Sequence, residues 1–248
     1  MAYMTENGTK FVHENEVLSY DSDRQGNVKL SSLQRWFQDA ADGHCTHFGC
    51  DYVTMREKMG VVFVLVKTSI NVYKPMRLMG RYKVTTWNKG ASGVRFYRDF
   101  EITGENGELC AVCGTSWVLV SPESRKMVRP DHVTFPVTVC GDGVEGVRLG
   151  KTVMPAAEYV GDKKVMYTEV DVNGHLTNWV YPDIVTNFLP DMSGKRVAEM
   201  DISYIGEAYE GETIKIYRAF DDGVYYMRGD HPRGKCFEAR CVLKDIEK

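Results

Sequence analysis

An α+β fold in which one unit is written twice is predicted for this chain of 248 residues. Three observations carry the prediction. Helical periodicity is confined to two places, and runs of strand-like alternation follow each of them, which favours α+β over a parallel α/β sheet. The order of elements repeats: an extended start, a polar turn, one helix, then strands. Particular residues recur as well. Setting Asp23 on Asp171 also sets Gln25 on Asn173, Gly26 on Gly174 and Asn27 on His175. Setting Tyr73 on Tyr204 sets Gly80 on Gly211 and opposes Met76 to Glu207.

In the first copy, Phe11 to Ser19 reads as extended and Asp21 to Asn27 as a polar turn. A helix follows, with Ser31-x-x-Gln34 as its capping box and Leu33, Trp36, Phe37, Ala40 and Ala41 as its apolar stripe. Strand-like runs come next at Val61–Val66, Lys67–Val72, Gly80–Asn88, Val94–Thr103 and Leu109–Val120. In the second copy, Asp171 to Asn178 leads to a helix with Val180, Ile184, Val185, Phe188 and Leu189 on one side. Pro182 falls in its first turn, where proline is tolerated. Strands are expected at Ala198–Tyr204, Glu212–Phe220, Val224–Gly229 and Lys235–Lys244. One helix wrapped by an antiparallel sheet is the hotdog arrangement, here in tandem. The two sheets are expected to join edge to edge, which removes one exposed edge from each. The first unit spans 1–130, a linker 131–160, preceded by Pro130, rich in glycine and containing Pro136 and Pro155, and the second unit 161–248.

Composition excludes several classes. The net charge of −3 gives no electrostatic footprint for nucleic acid. The start has no basic, then apolar, signal pattern, and the longest apolar run, Val61–Val66, is far too short to span a membrane. Seven cysteines without an export signal read as reduced thiols, which places the protein in the cytoplasm. Gly141-x-Gly143-x-x-Gly146 and Gly150-Lys151-Thr152 resemble nucleotide motifs, but no apolar strand feeds either one. His44, Cys45, His47 and Cys50 do not share one helix face, so no metal is expected. The one local charge feature is basic. Lys74, Arg77, Arg81, Lys83, Lys89, Arg95 and Arg98 follow one another with no acidic residue between them. Such a run is either a solvated sheet face or a landing site for an acidic partner.

The chemistry concentrates in Asp171-Val-Asn173-Gly-His175-Leu-Thr-Asn178. A carboxylate, an amide and an imidazole two residues apart in a turning segment point to roughly one side. They can activate a water, orient it and stabilise an oxyanion. The same residues also suit a turn and a helix cap, with Asn178 as the cap.

That segment, with Ser203-Tyr-Ile-Gly-Glu207-Ala-Tyr-Glu-Gly211 downstream, resembles the second half of plant and bacterial acyl-acyl carrier protein (ACP) thioesterases. Trp117-Val-Leu-Val with Ser124-Arg125-Lys126 resembles the segment closing their first half. The resemblance implies a double hotdog that hydrolyses the thioester between a fatty acyl chain and the carrier's phosphopantetheine, in fatty acid biosynthesis and without a cofactor. It implies Asp171 and Glu207 as the water-activating pair, Asn173 as the group holding them in register and His175 as the polarising or proton-relaying group. Ala208 stands where an older view of the family places a nucleophilic cysteine, so attack by water is expected. Backbone N–H groups at the start of the second helix are expected to complete the oxyanion site. Lys74, Arg77, Arg81 and Lys83 are the expected docking residues for the acidic carrier. Trp36, Phe37, Val64 and Val66 are candidates to line the acyl tunnel. An acyl-CoA thioesterase, a hydratase and a non-catalytic acyl-binding module stay open as alternatives, and a homodimer is among the open oligomeric states.

Overall fold

The computed structural model describes residues 1–133 and 137–246, so Pro136 of the expected linker lies outside the described residues. The first half contains β1 (Ala2–Met4), β2 (Phe11–Glu16), α1 (Leu30–His47), α2 (Tyr52–Thr54), β3 (Val62–Val72), β4 (Arg81–Ser92), β5 (Arg95–Gly104), β6 (Leu109–Val120) and β7 (Met127–Val128). The second contains β8 (Glu158–Lys164), α3 (Val180–Asn187), β9 (Lys195–Tyr204), β10 (Thr213–Asp221), β11 (Val224–His231) and β12 (Gly234–Asp245). All the strands join one antiparallel sheet in the order β1-β2-β4-β5-β6-β3-β9-β12-β11-β10-β8, with β7 on β6. Reading outward from the β3–β9 junction, β3, β6, β5, β4 and β2 repeat as β9, β12, β11, β10 and β8. This is the tandem hotdog, with its two sheets fused along one edge.

The stripe Leu33, Trp36, Phe37, Ala40 and Ala41 is buried, as are Val180, Ile184, Val185 and Leu189. Alternation along the strands supplies the other side of the core, with Val84, Phe100 and Ile102 facing α1. The ends of α1 differ from expectation at one terminus. It starts at Leu30 with Lys29 as the cap residue and no side-chain cap bond, because Ser31 and Gln34 are buried in the core rather than turned back on the helix end. At the other end Gly49 takes the left-handed conformation (φ 69°) that closes the helix. The two runs expected at Val61–Val66 and Lys67–Val72 form one strand, with a bulge between Leu65 and Lys67. The bulge resets the alternation, which is why the sequence reads as two strands.

The local repeat is close. Asp23 N–H donates to Asn27 O at 2.7 Å and Asp171 N–H to His175 O at 3.0 Å. Asp23 and Asp171 each accept the N–H two residues on, from Gln25 and Asn173, both at 2.8 Å. The downstream register differs from the expected one by one residue. Val28 N–H donates to Met76 O as Leu176 N–H donates to Ala208 O. Asn27 pairs with Arg77 as His175 pairs with Tyr209. Pro75, not Met76, therefore stands opposite Glu207.

The segment between the halves is a strap. Trp87 Nε1 donates to Asp142 O at 2.9 Å, and Val144 N–H donates to Asp99 Oδ2 at 3.0 Å. Asn71 Nδ2 donates to Gly146 O at 2.7 Å, and Lys67 Nζ reaches Gly150 O and Thr152 Oγ1. Gly146 (φ 84°) has the conformation and lacks the Cβ that this close approach requires. The apparent nucleotide motif thus covers the outer face of the first-half sheet. Strand β8 begins at Glu158, inside the stretch read as linker.

Candidate active site

The turn after β8 carries Asp171, Asn173 and His175, and the segment after β9 carries Glu207. The pairing of His175 with Tyr209 brings the two together. His175 lies between two carboxylates. Its Nδ1 is 3.8 Å from Asp171 Oδ1, and its Nε2 is 3.9 Å from Glu207 Oε1. These distances exceed direct hydrogen bonds. Asp171 is half-buried and occupied on both oxygens: Oδ1 accepts Asn173 N–H at 2.8 Å, and Oδ2 accepts Asn173 Nδ2 at 3.3 Å. Glu207 is more open, and only its Oε2 is held, by Tyr209 OH at 2.6 Å.

Five further residues, Tyr52, Arg56, Arg125, Tyr209 and Arg233, complete the surroundings. Tyr52 OH donates to Asn173 Oδ1 at 2.7 Å, and Arg56 NH1 donates to Tyr52 OH at 3.0 Å. Both stand on the short helical segment after α1, started by the Asp51 cap on Thr54 and ended by Gly60 in the left-handed conformation. Arg125 NH1 donates to Tyr209 OH at 3.4 Å and is 3.9 Å from Glu207 Oε2. It sits at φ 55°, a conformation costly for a residue with a side chain, within the turn closed by Arg125 N–H to Ser121 O. Arg233 donates to Glu207 O at 2.6 Å, clasps Glu212 and lies over the Tyr209 ring, which rigidifies the segment bearing Glu207. The Asp51-x-x-Thr54 cap signal and the Tyr52/Arg56 spacing were legible; their meeting with Asn173 was not.

Two expectations are corrected here. Asn178 does not cap α3: Trp179 holds that position without a side-chain bond, and Asn178 contributes its carbonyl to Tyr181 N–H instead. The first N–H groups of α3 are also occupied, Val180 by Thr177 O and Tyr181 by Asn178 O, so they are not free to hold an oxyanion.

The counterpart site in the first half lacks the imidazole and the downstream carboxylate, although a cavity lined by Asp23, Asn27, Pro75 and Met76 lies there. Gln25, opposite Asn173, donates through Nε2 to Met192 O and Lys195 O and accepts Gly194 N–H. Asn27 replaces the imidazole and is buried, and Pro75 replaces the carboxylate.

A cavity lies beside Tyr52 between α1 and the first-half sheet, lined by Ala41, Cys45, Met55, Phe63, Phe96 and Trp117 among others. Trp36, Phe37, Val64 and Val66 are not among its lining residues: Trp36 and Phe37 are packed in the core, and Val64 is exposed. The described residues place all seven cysteines as free thiols. Burial pushes Cys236 up to about 11 and Cys241 to about 12, and raises Cys110 and Cys113 too. None of these four is a ready thiolate. His44 turns its Nδ1 to Arg98 rather than towards a cluster with the nearby thiols.

The basic run does not form one surface. Arg98 is buried and Lys89 pairs with Asp99 at 2.9 Å. Arg81 and Lys83 are exposed, each 3.7 Å from a β2 carboxylate, Glu16 and Glu14. Lys74 and Arg77 lie beside Pro75 at the first-half counterpart of the site.

No helix among the described residues is long and apolar enough to cross a membrane. No curated protein sequence matches this chain. Solved structures that share its fold over nearly the whole length include the following two. An acyl-ACP thioesterase from Bacteroides thetaiotaomicron, 15% identical, covers 97% of this chain and 100% of its own, with a TM-score of 0.89. A 12:0-ACP thioesterase from Umbellularia californica, 18% identical, covers 96% and 98%, with a TM-score of 0.80. The family model of the acyl-ACP thioesterase N-terminal domain matches residues 8–134. The chain, whose first half carries that domain and whose two halves close into one double hotdog, belongs to the acyl-ACP thioesterase family and is a thioester hydrolase of fatty acyl-ACP.

Proposed function

We propose that the second unit, 161–248, carries the catalytic site, and that Glu207 is the base. The supporting observation is the unequal occupancy of the two carboxylates. Both Asp171 oxygens are tied to Asn173, while Glu207 keeps Oε1 turned to His175. Asp171 then orients the ring by facing Nδ1, which leaves Nε2 towards Glu207. A water held between Nε2 and Glu207 Oε1 attacks the thioester carbonyl carbon and gives a proton to Glu207. Collapse of the tetrahedral intermediate breaks the C–S bond, and the proton passes through His175 to the departing sulfur. Asn173, fixed by Tyr52 and Asp171, offers its remaining amide hydrogen to the carbonyl oxygen. The acyl chain lies in the cavity beside Tyr52. Cytoplasmic fatty acid biosynthesis is the setting that fits an acyl-ACP substrate and seven unpaired thiols.

Glu207→Gln, His175→Ala and Asp171→Asn are expected to lower kcat for acyl-ACP by about 10²–10⁴ while the proteins still fold. Asp23→Asn in the first unit changes kcat by no more than a few-fold. Thiol release from acyl-ACP measures both. A Glu207→Gln enzyme with full kcat, or an equally inactive Asp23→Asn enzyme, removes this assignment. If the carrier lands on Lys74, Arg77, Arg81 and Lys83, reversing Arg77, Arg81 and Lys83 raises KM for acyl-ACP and leaves small pantetheine thioesters unchanged.

A further inference from the structure

Along β5 the inward positions read Phe96, Arg98, Phe100 and Ile102, so a guanidinium stands in an otherwise apolar row. Arg98 is 8% exposed and lines the cavity beside Tyr52. Every partner it has is neutral. NH1 meets His44 Nδ1 at 2.9 Å and Thr86 Oγ1 at 3.2 Å, and NH2 meets Cys45 Sγ at 3.6 Å. Burial, and after it the charge of Arg98, holds His44 down to about 3, so its ring is uncharged and accepts through Nδ1. Among the described residues no carboxylate lies within ion-pair distance of Arg98. Asp42 on the cavity wall attracts Arg98 through space without forming an ion pair, so the buried guanidinium has only neutral groups at its N–H donors, where a methionine of similar length would pack without desolvating a charge. A guanidinium has five N–H donors, and three neutral contacts leave donors unspent beside the cavity. Gln38, Asp42 and Asn88 also line the cavity.

We infer that Arg98 is a specificity-determining residue: it makes the cavity a receptor for an acyl chain bearing an acceptor oxygen, as an oxo, hydroxyl or carboxyl group, away from the thioester. The inference rests on the reading that the chain enters past Tyr52 towards this cavity. An apolar chain end would leave the unspent donors unpaired, and it is this mismatch that discriminates. A polar site loses far more on a missing partner than an apolar pocket loses on a missing methylene.

The test uses the full chain and carrier-linked acyl chains of equal length. One chain is fully saturated. The others carry an oxo or hydroxyl group at C3, at mid-chain or at the ω end, or an ω-carboxylate, and the position of the preferred oxygen separates the sources. At least one oxygenated chain is expected to exceed the saturated one in kcat/KM by about ten-fold or more. Arg98→Met is expected to invert that order. A wild-type enzyme that hydrolyses the saturated chain as well as every oxygenated one overturns the role of Arg98 and leaves the catalytic reading intact. So does an Arg98→Met enzyme slowed equally on all chains. Hydrolysis of none of the chains by the wild type overturns both. Should Arg98→Met fail to fold, the wild-type order alone decides.

Discussion

Glu207, the proposed base, is held from one side only. Tyr209 OH donates to Oε2, with Arg125 beyond it, and fixes the carboxylate's orientation. Tyr209→Phe removes that donor, so kcat for acyl-ACP should fall by about ten-fold. An unchanged kcat would mean that the tyrosine only packs. A titration belongs to His44. Its folded ring stays neutral down to about 3, whereas an unfolded histidine titrates near 6.5. Between those values the unfolded chain binds the extra proton, so stability falls as pH falls. His44→Asn should remove about 2 kcal/mol of the change in unfolding free energy between pH 6.5 and 4.5, measured with urea. The spacing of Asp171, Asn173 and His175 was legible because a turn is local. Tyr52 reaches Asn173 from another element of the fold, and no period in the sequence records that meeting. Arg98 was misread as one of a surface run because charge alone does not say which way a strand residue faces.

At the scale of elements, the internal repeat exposes where one copy is strained. Met79 and Gly211 hold the same place: Met79 N–H donates to Val17 O and Gly211 N–H to Val165 O, both in the left-handed region at φ 65° and 82°. A side chain there costs about 1–2 kcal/mol. Met79→Gly should therefore stabilise the protein by about 0.5–1 kcal/mol once glycine's extra freedom in the unfolded chain is subtracted. Gly211→Ala should destabilise it by about 1 kcal/mol. Thermal or urea unfolding of both variants checks the pair, and a stabilised Gly211→Ala would contradict it. The long strands and both helices were legible because apolar periodicity marks them over many residues. Strands β1 and β7 are too short to show a period, and β8, Glu158 to Lys164, is mostly polar because it lies at a sheet edge. The one-residue slip in the expected register arose from aligning the tyrosines, Tyr73 and Tyr204. The backbone bonds align Tyr73 with Ile205, each donating to the facing strand at Cys110 and Cys236.

For the whole molecule, the β3–β9 seam joins the halves into one sheet. Ser69 Oγ donates to Asp201 Oδ1 at 2.6 Å across it, and Arg148 of the strap donates its N–H to Ser69 Oγ at 2.8 Å and its guanidinium to Glu199 at 2.6 Å. The first half supplies Tyr52, Arg125 and the cavity, and the second supplies His175 and Glu207. Cutting the chain between Ala156 and Ala157 keeps the strap with the first-half sheet it covers and leaves β8 with the second. Either fragment alone then presents an unpaired central strand, β3 or β9, which is a template for wrong pairing. We expect each fragment to oligomerise or aggregate by itself, and the two produced together to pair through β3 and β9 as a one-to-one complex that hydrolyses acyl-ACP. Light scattering and thiol release measure the two halves of this prediction. The fragment 157–248 contains Asp171, Asn173, His175 and Glu207, so it also tests whether those four suffice. If it stays monomeric and retains most of the intact enzyme's kcat/KM, the contribution of Tyr52, Arg125 and the first-half cavity is refuted. If the paired fragments are active and the single ones are not, the site requires both units even though its reacting groups come from one.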